Sequence, residues 1–220
     1  MGDATADFIR MLAVAVIPVL FGITLHEVAH GRVARLFGDR TAEMLGRLSL
    51  NPLRHIDPLG TVIVPLLMLW LGGFLFGWAR PVPVNPRALR DPRRAMVLVA
   101  AAGPLTNFAM AYLWALSLHL SRALFTVAPG AAEFFSQMAS FGMFFNVLLG
   151  LFNLIPVPPL DGGRVLRGLV PDALGQRLDA LERWGLIIVV ALLASGVLGQ
   201  VLRPLLGGAQ RLVLAAAGII

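Results

Sequence analysis

The sequence predicts an all-α polytopic membrane protein with about four to six transmembrane segments, one of them broken or re-entrant, and with short β-strands at the interface. Three observations carry that reading. Of 220 residues, 58% are hydrophobic and only 14% are charged, and the mean hydropathy is +0.81, beyond what soluble globular domains show. Apolar runs of about 20 residues, enough to cross a hydrocarbon core, recur near residues 8–30, 95–120, 136–155 and 184–202. The 18 basic residues are all arginine and gather between those runs, as cytoplasmic loops do under the positive-inside rule. That clustering accounts for the net charge of +6 without nucleic acid, so the expected environment is a lipid bilayer. One integral domain, residues 1–220, suits the length.

The first run carries one charge, Arg10, between Phe8 and Leu25. Asp3 and Asp7 precede it, and the run leads straight into a polar motif, so it is expected to stay in the mature chain rather than be cleaved as a signal peptide. The motif is His26-Glu27-Val28-Ala29-His30, an H-E-x-x-H pattern. On a helix the i, i+4 spacing stacks His26 and His30 on one face, so two imidazoles reach one zinc ion. Zinc activates water for attack on a carbonyl at neutral pH, and Glu27 is placed to take the proton. An accidental match is ordinary on a solvated helix. At the end of a membrane-depth segment, ionisable side chains are expensive and so point to function.

Arg32, Arg35, Arg40, Arg47 and Arg54 precede the run at 59–77, and Arg80, Arg87, Arg90, Arg93 and Arg94 follow it. Pro65 and Gly72-Gly73 interrupt the run. With arginine on both flanks it is expected to be a broken or re-entrant hairpin covered by protein, the alternative being a tilted full crossing. Met44–Leu50 and Ala79–Asn85 alternate weakly between Pro and Gly, and read as β-strands or extended arms. Arginine counts then place the amino terminus outside, with the helices from Ala95 and Trp184 running outward and the first helix and that from Ser136 running inward. The tail from Pro204 stays ambiguous.

This topology brings Asp161 to the depth of His26 and His30. Asp161 follows Pro156, Pro158 and Pro159 and precedes Gly162-Gly163, residues that end a helix and permit positive φ. As a helix cap or as a metal ligand it is about evenly balanced by local pattern; depth favours the ligand. With no cysteine in the chain, histidine and carboxylate are the available zinc ligands, and three of them leave a fourth position open, as in catalytic sites. Ligand type favours zinc over iron or manganese.

Other polar residues lie at depth. Asn107 is favoured as an interhelical packing amide, and Asn153 divides evenly between packing and donation to a substrate oxyanion. His55, beside Asp57 in a proline-flanked loop, reads as an interfacial hydrogen-bonded residue rather than an alternative ligand or proton carrier. His119, near the outer end of its run, takes no role.

The H-E-x-x-H motif together with Asn153-Leu154-Ile155-Pro156-Val157-Pro158-Pro159-Leu160-Asp161-Gly162 resembles the site-2 proteases, intramembrane zinc metalloproteases, over about residues 15–200. Asn51-Pro52-Leu53-Arg54-His55-Ile56-Asp57-Pro58, Gly77-Trp78-Ala79-Arg80-Pro81-Val82-Pro83-Val84-Asn85 and Ala102-Gly103-Pro104-Leu105-Thr106-Asn107 are similar to the compact bacterial and archaeal branch, and the ~80–100 inserted residues of a PDZ domain are absent. The resemblance implies His26, His30 and Asp161 as ligands of one zinc per chain, Glu27 as catalytic base and Asn153 near the site. It implies transmembrane proteins as substrates and cleavage in or beside their helices, in a multi-pass plasma-membrane protein whose site faces the cytoplasm. Two other functions fit the same motif: a membrane-bound protease of soluble or misfolded chains, and a metal transporter or scaffold that would not need Glu27. The sequence bears on neither oligomeric state nor the particular substrate.

Overall fold

The computed structural model describes residues 2–64 and 80–220, without the side chains of residues 2–4, 61 and 62. In chain order the helices are α1 (Gly2–Leu36), α2 (Thr41–Met44), α3 (Pro92–Leu124), α4 (Pro129–Asn153), α5 (Asp161–Leu169), α6 (Asp172–Glu182), α7 (Gly185–Ala194) and α8 (Val197–Ala216). Short 3-10 turns at Pro52–Arg54 and Pro86–Ala88 and a π-helical turn at Pro58–Ile63 lie between α2 and α3. Among the described residues α1, α3 and α4 are each long and apolar enough to cross a bilayer. The chain is a multi-pass membrane protein.

Local sequence sets the helix ends. α3 and α4 begin on Pro92 and Pro129, where the missing N–H and preset φ of proline cost nothing. α1 stops at Gly38, whose φ of +104° turns the chain so that the Gly38 N–H reaches the Arg35 carbonyl (3.0 Å) and the Asp39 N–H that of Ala34 (3.0 Å). These two bonds satisfy carbonyls that the helix end would otherwise leave open.

α1 and α4 run parallel, because Arg10 meets Glu133 at 2.7 Å while, twelve residues further along each helix, Gly22 packs on Phe145 and Asn146. α3 runs antiparallel to both: His30 faces Val99 and His26 faces Asn107. Close approach uses small residues. Gly103 lies under the two imidazoles, Gly142 under the Trp114 ring and Gly150 under Phe108. Ala111, Ala115, Met143 and Val147 form the α3–α4 core with Ala217. Leu105, Leu113 and Leu120 on the opposite face of α3 are each more than 60% exposed, an apolar stripe suited to contact with lipid. α5 packs on α3, and Arg93 donates to the Gly168 (2.9 Å) and Val170 (2.6 Å) carbonyls at its C-terminal end.

Three expectations are corrected, and the span count is met at its lower end. No β-strand occurs among the described residues. The stretch Met44–Leu50 opens with the end of α2 and a turn, in which the Met44, Leu45, Gly46 and Arg47 N–H groups bond back to residues 40–43. In the described part of Ala79–Asn85 the backbone is extended, but its donors go elsewhere: Arg80 N–H to the His55 carbonyl, Val82 N–H to Glu27 and Asn85 N–H to Asp39. Pro81 and Pro83 donate nothing, so no ladder forms. Three described helices qualify as spans, or four with the pair α7–α8, which reaches the lower end of the range of about four to six expected of the whole chain. Second, the run from Trp184 is no straight crossing: α7 and α8 meet at a 79° bend, at Gly196 with φ +76°. Third, Gly162 and Gly163 lie inside α5 and neither takes positive φ. Their lack of Cβ admits the backbone of residues 154–158, which a side chain at either position would strike. The hairpin expected at 59–77 falls mainly outside the described residues; its start, to Ile63, is the π-helical turn.

Candidate metal centre

His26 and His30 project from the same face of α1 because they stand one turn apart, and their rings meet edge to face at 4.7 Å between centroids. Asp161 arrives as the first residue of α5. Its side chain makes no cap to the helix, so the cap reading gives way to a different use. Asp161 Oδ2 lies 3.2 Å from His26 Nε2 and 3.2 Å from His30 Nε2, and the two Nε2 atoms are 3.1 Å apart. All three residues are buried.

Hydrogen-bond partners assign the tautomers. His30 Nδ1 is 2.6 Å from the Val99 carbonyl oxygen, which only accepts, so Nδ1 carries the proton and Nε2 presents a lone pair. His26 Nδ1 is 2.6 Å from Asn107 Oδ1, another acceptor, with the same result. Asp161 Oδ2 is buried and has no hydrogen-bond donor. Three lone-pair-bearing atoms thus converge on one point with no proton between them, an arrangement that repels itself unless a cation sits at the centre. Tetrahedral zinc with bonds of about 2.0–2.1 Å spaces its ligands about 3.3 Å apart, close to the triangle present. The two-histidine, one-carboxylate set fits zinc and leaves a fourth position for a reacting group.

Glu27, next to His26, is half-buried, and its Oε2 accepts the Val82 N–H at 2.8 Å. The extended arm of residues 80–85 is thereby docked on this carboxylate. Its far end is held by Asp39, buried at the end of α1, whose carboxylate accepts Asn85 N–H (2.6 Å) and Thr41 N–H (2.9 Å). Burial works against the Asp39 charge, but the Thr41 hydroxyl, together with these N–H bonds, outweighs it and holds the carboxyl below its ordinary range.

Asn107 bonds across helices as a packing amide would, its Nδ2 donating to the Gly22 carbonyl and to Asn146 Oδ1, and its Oδ1 also faces His26 Nδ1 at 2.6 Å. Asn153 ends α4 with its amide donating to the Leu149 carbonyl (3.0 Å). His55 is buried with Nε2 at 2.8 Å from the Ser49 carbonyl oxygen and stands outside the His26–His30–Asp161 group. His119 Nε2 faces the Ala217 carbonyl oxygen at 2.8 Å. Sequence reading missed Asn146 and the contact that Val82 makes with Glu27. Asn146 carried a signal, being an amide in the apolar run 136–155; the Val82 contact is made by backbone, which no side-chain pattern reveals.

Residues 124–196 match the family model described as Peptidase family M50. YwhC of Bacillus subtilis (strain 168), which bears a zinc metalloprotease name, is 38% identical over 211 residues, 94% of this chain and 91% of that protein. Rip2 of Mycolicibacterium smegmatis, named likewise, is 34% identical over 182 residues, 82% of this chain and 66% of that one. A zinc metalloprotease of Methanocaldococcus jannaschii is 25% identical over 165 residues, 74% of this chain and 36% of its own. No solved structure matches the chain.

Proposed function

We propose, the chain belonging to peptidase family M50, the site-2 proteases, and being a zinc metalloprotease, that it hydrolyses peptide bonds within or beside transmembrane helices of other membrane proteins. The observation that carries this is the position of the donor set. His26 and His30 lie on a helix apolar enough to span a bilayer, walled by two more such helices with lipid-facing leucines outside. A substrate helix moving in the bilayer has the shortest route to such a site.

In this reading His26, His30 and Asp161 hold the zinc, which when bound supplies Lewis-acid activation of water and polarisation of the scissile carbonyl. Glu27 takes the proton from the attacking water and returns it to the leaving amine. Its Oε2 is already bonded to Val82, so Oε1 is the oxygen left for that exchange. Asn153 donates toward the oxyanion. The whole chain acts as one domain of the plasma membrane, with the site near the cytoplasmic face, where the arginine clusters flank it.

A helical substrate hides its carbonyls in its own hydrogen bonds, and breaking them in lipid costs several kcal/mol per group. Substrate unwinding is therefore the step on which the reading is tested. In bilayers, a substrate helix with a Gly or Pro pair near the scissile bond is expected to be cleaved faster than one with a Leu-Ala run. Glu27→Gln retains one zinc and cleaves neither. Equal turnover of both helices removes the unwinding step. Casein cleaved as fast as the helices favours the alternative of a protease for soluble chains.

A further inference from the structure

Among the described residues, Asn107 and Asn146 are the two largest polar side chains, besides His55, that are fully enclosed, each 0% exposed. Together they form a chain of bonds that ends on a zinc ligand. Asn146 Nδ2 donates to the Gly142 carbonyl one turn back on α4 (2.9 Å), so its Oδ1 must point the other way. That oxygen accepts from Asn107 Nδ2 at 3.0 Å, and the same Nδ2 donates its second hydrogen to the Gly22 carbonyl on α1 at 3.1 Å. Both hydrogens of the Asn107 amide are then committed to groups that only accept. Flipping the amide would put Oδ1 against two other oxygens, a buried repulsion with no compensating donor. Oδ1 is held against His26 Nδ1 at 2.6 Å.

We infer that Asn107 is a positioning residue of the metal centre: locked by Asn146 and Gly22, its amide oxygen holds His26 in the tautomer and ring orientation that present Nε2 to zinc. The inference rests on the proposed ligand role of His26. His30 has its tautomer set by a backbone carbonyl, which no substitution at Val99 removes. His26 depends on a side chain, and that side chain depends on a second one 39 residues further along the chain. A neutral imidazole is a two-tautomer system, and the wrong tautomer puts N–H where the lone pair is needed. Packing alone would require neither the flip lock nor the short contact to Nδ1. Helices α1, α3 and α4 all contribute to the relay, so it also ties the ligand's orientation to their correct assembly.

The test reads metal, not cleavage. Zinc affinity is measured by chelator competition and ligand geometry by the visible spectrum of the cobalt-substituted protein, for wild type, Asn107→Leu, Asn107→Asp and Asn146→Ala. Asn107→Leu is expected to weaken zinc about 10–100-fold, the range for lost outer partners of ligating histidine, and to change the cobalt bands. Asn107→Asp keeps an oxygen on Nδ1 and, with a proton on its other oxygen in this enclosed position, an O–H toward Asn146 Oδ1 in place of the amide donor, so it is expected to restore part of that affinity. If Asn107→Leu does not fold, Asn146→Ala decides: it frees the amide to turn and is expected to weaken zinc about 3–10-fold. Wild-type affinity and cobalt bands in the folded variants overturn the inference, as does Asn107→Asp binding no better than Asn107→Leu. His26→Ala is the control, since full zinc retention there removes the ligand role itself. Failure to cut membrane helices with these metal effects intact would reject the substrate reading alone.

Discussion

In the proposed metal centre Asp161 is the residue on which the ligand set turns, because the two histidines are bound to each other's position by one helical turn while the carboxylate must be delivered from another element. Asp161→Asn keeps the shape but removes the charge that a cation needs, and the amide can place N–H toward the metal. Its zinc content after dialysis against a mild chelator is expected to fall well below that of Asn153→Ala, whose amide is bonded to Leu149 and not to the triangle. Equal metal content in the two variants would move the third ligand elsewhere. Glu27 is separable from binding in the same way: Glu27→Gln is expected to hold zinc in unchanged ratio and to lose at least about a hundredfold in cleavage, the contribution of a positioned base. Atomic absorption and a cleavage assay on one sample read both quantities.

At the scale of elements, the α1–α3 contact decides whether the ligands are aimed. Gly103 lets α3 pass beneath both imidazoles, and an added Cβ would stand 2.6 Å from His26 Cε1 and closer still to His30 Nε2. Neither ring can swing away without leaving Val99 or Asn107. Gly103→Ala is therefore expected to lower zinc affinity and to destabilise the protein by about 1–3 kcal/mol, the usual cost of overpacking, read as a lower melting temperature in detergent. The arm 80–85 has its own anchor in Asp39. Asp39→Ala leaves the Asn85 and Thr41 N–H groups unpaired at about 1–3 kcal/mol, so amide exchange at Val82 and Asn85 is expected to speed up by tenfold or more, roughly. The folded-state carboxyl of Asp39 is held low. Its stabilisation is thus fully present above the unfolded value of about 3.9 and is lost as pH falls through the folded value. The difference in exchange between wild type and Asp39→Ala should persist at pH 7 and shrink in strong acid.

For the whole molecule the question is orientation in the bilayer. The chain has no cysteine, so single cysteines report without background. Probes near Arg40, Arg87 and Arg167 are expected to label from the cytoplasm, since moving an arginine cluster across the membrane opposes the positive-inside bias. Labelling near Arg87 from the other side would make residues 59–77 a full crossing. The parallel arrangement of α1 and α4 with α3 reversed puts the C-terminal ends of α1 and α4 and the N-terminal end of α3 on one side, and the same probes test that.

What could be read from the sequence was what the chain carries locally. The H-E-x-x-H pair needs only one turn of helix to bring His26 and His30 together, and apolar runs declare membrane helices because hydrocarbon tolerates little else. Asp161 was within reach because charge bias along the chain orders the helices and so equalises depth. The strands were misread because an extended segment such as 80–85 becomes a strand only if its N–H groups find another strand, and here they found His55, Glu27 and Asp39. Gly162 and Gly163 were assigned conformational freedom when what they supply is room. The bend at Gly196 lay hidden inside an unbroken apolar run. Which amide faces His26, which carbonyl faces His30 and which backbone N–H holds Glu27 were decided by the tertiary structure alone, because hydrogen bonds across 55 to 81 residues are chosen by how helices pack, and a linear pattern does not encode that geometry.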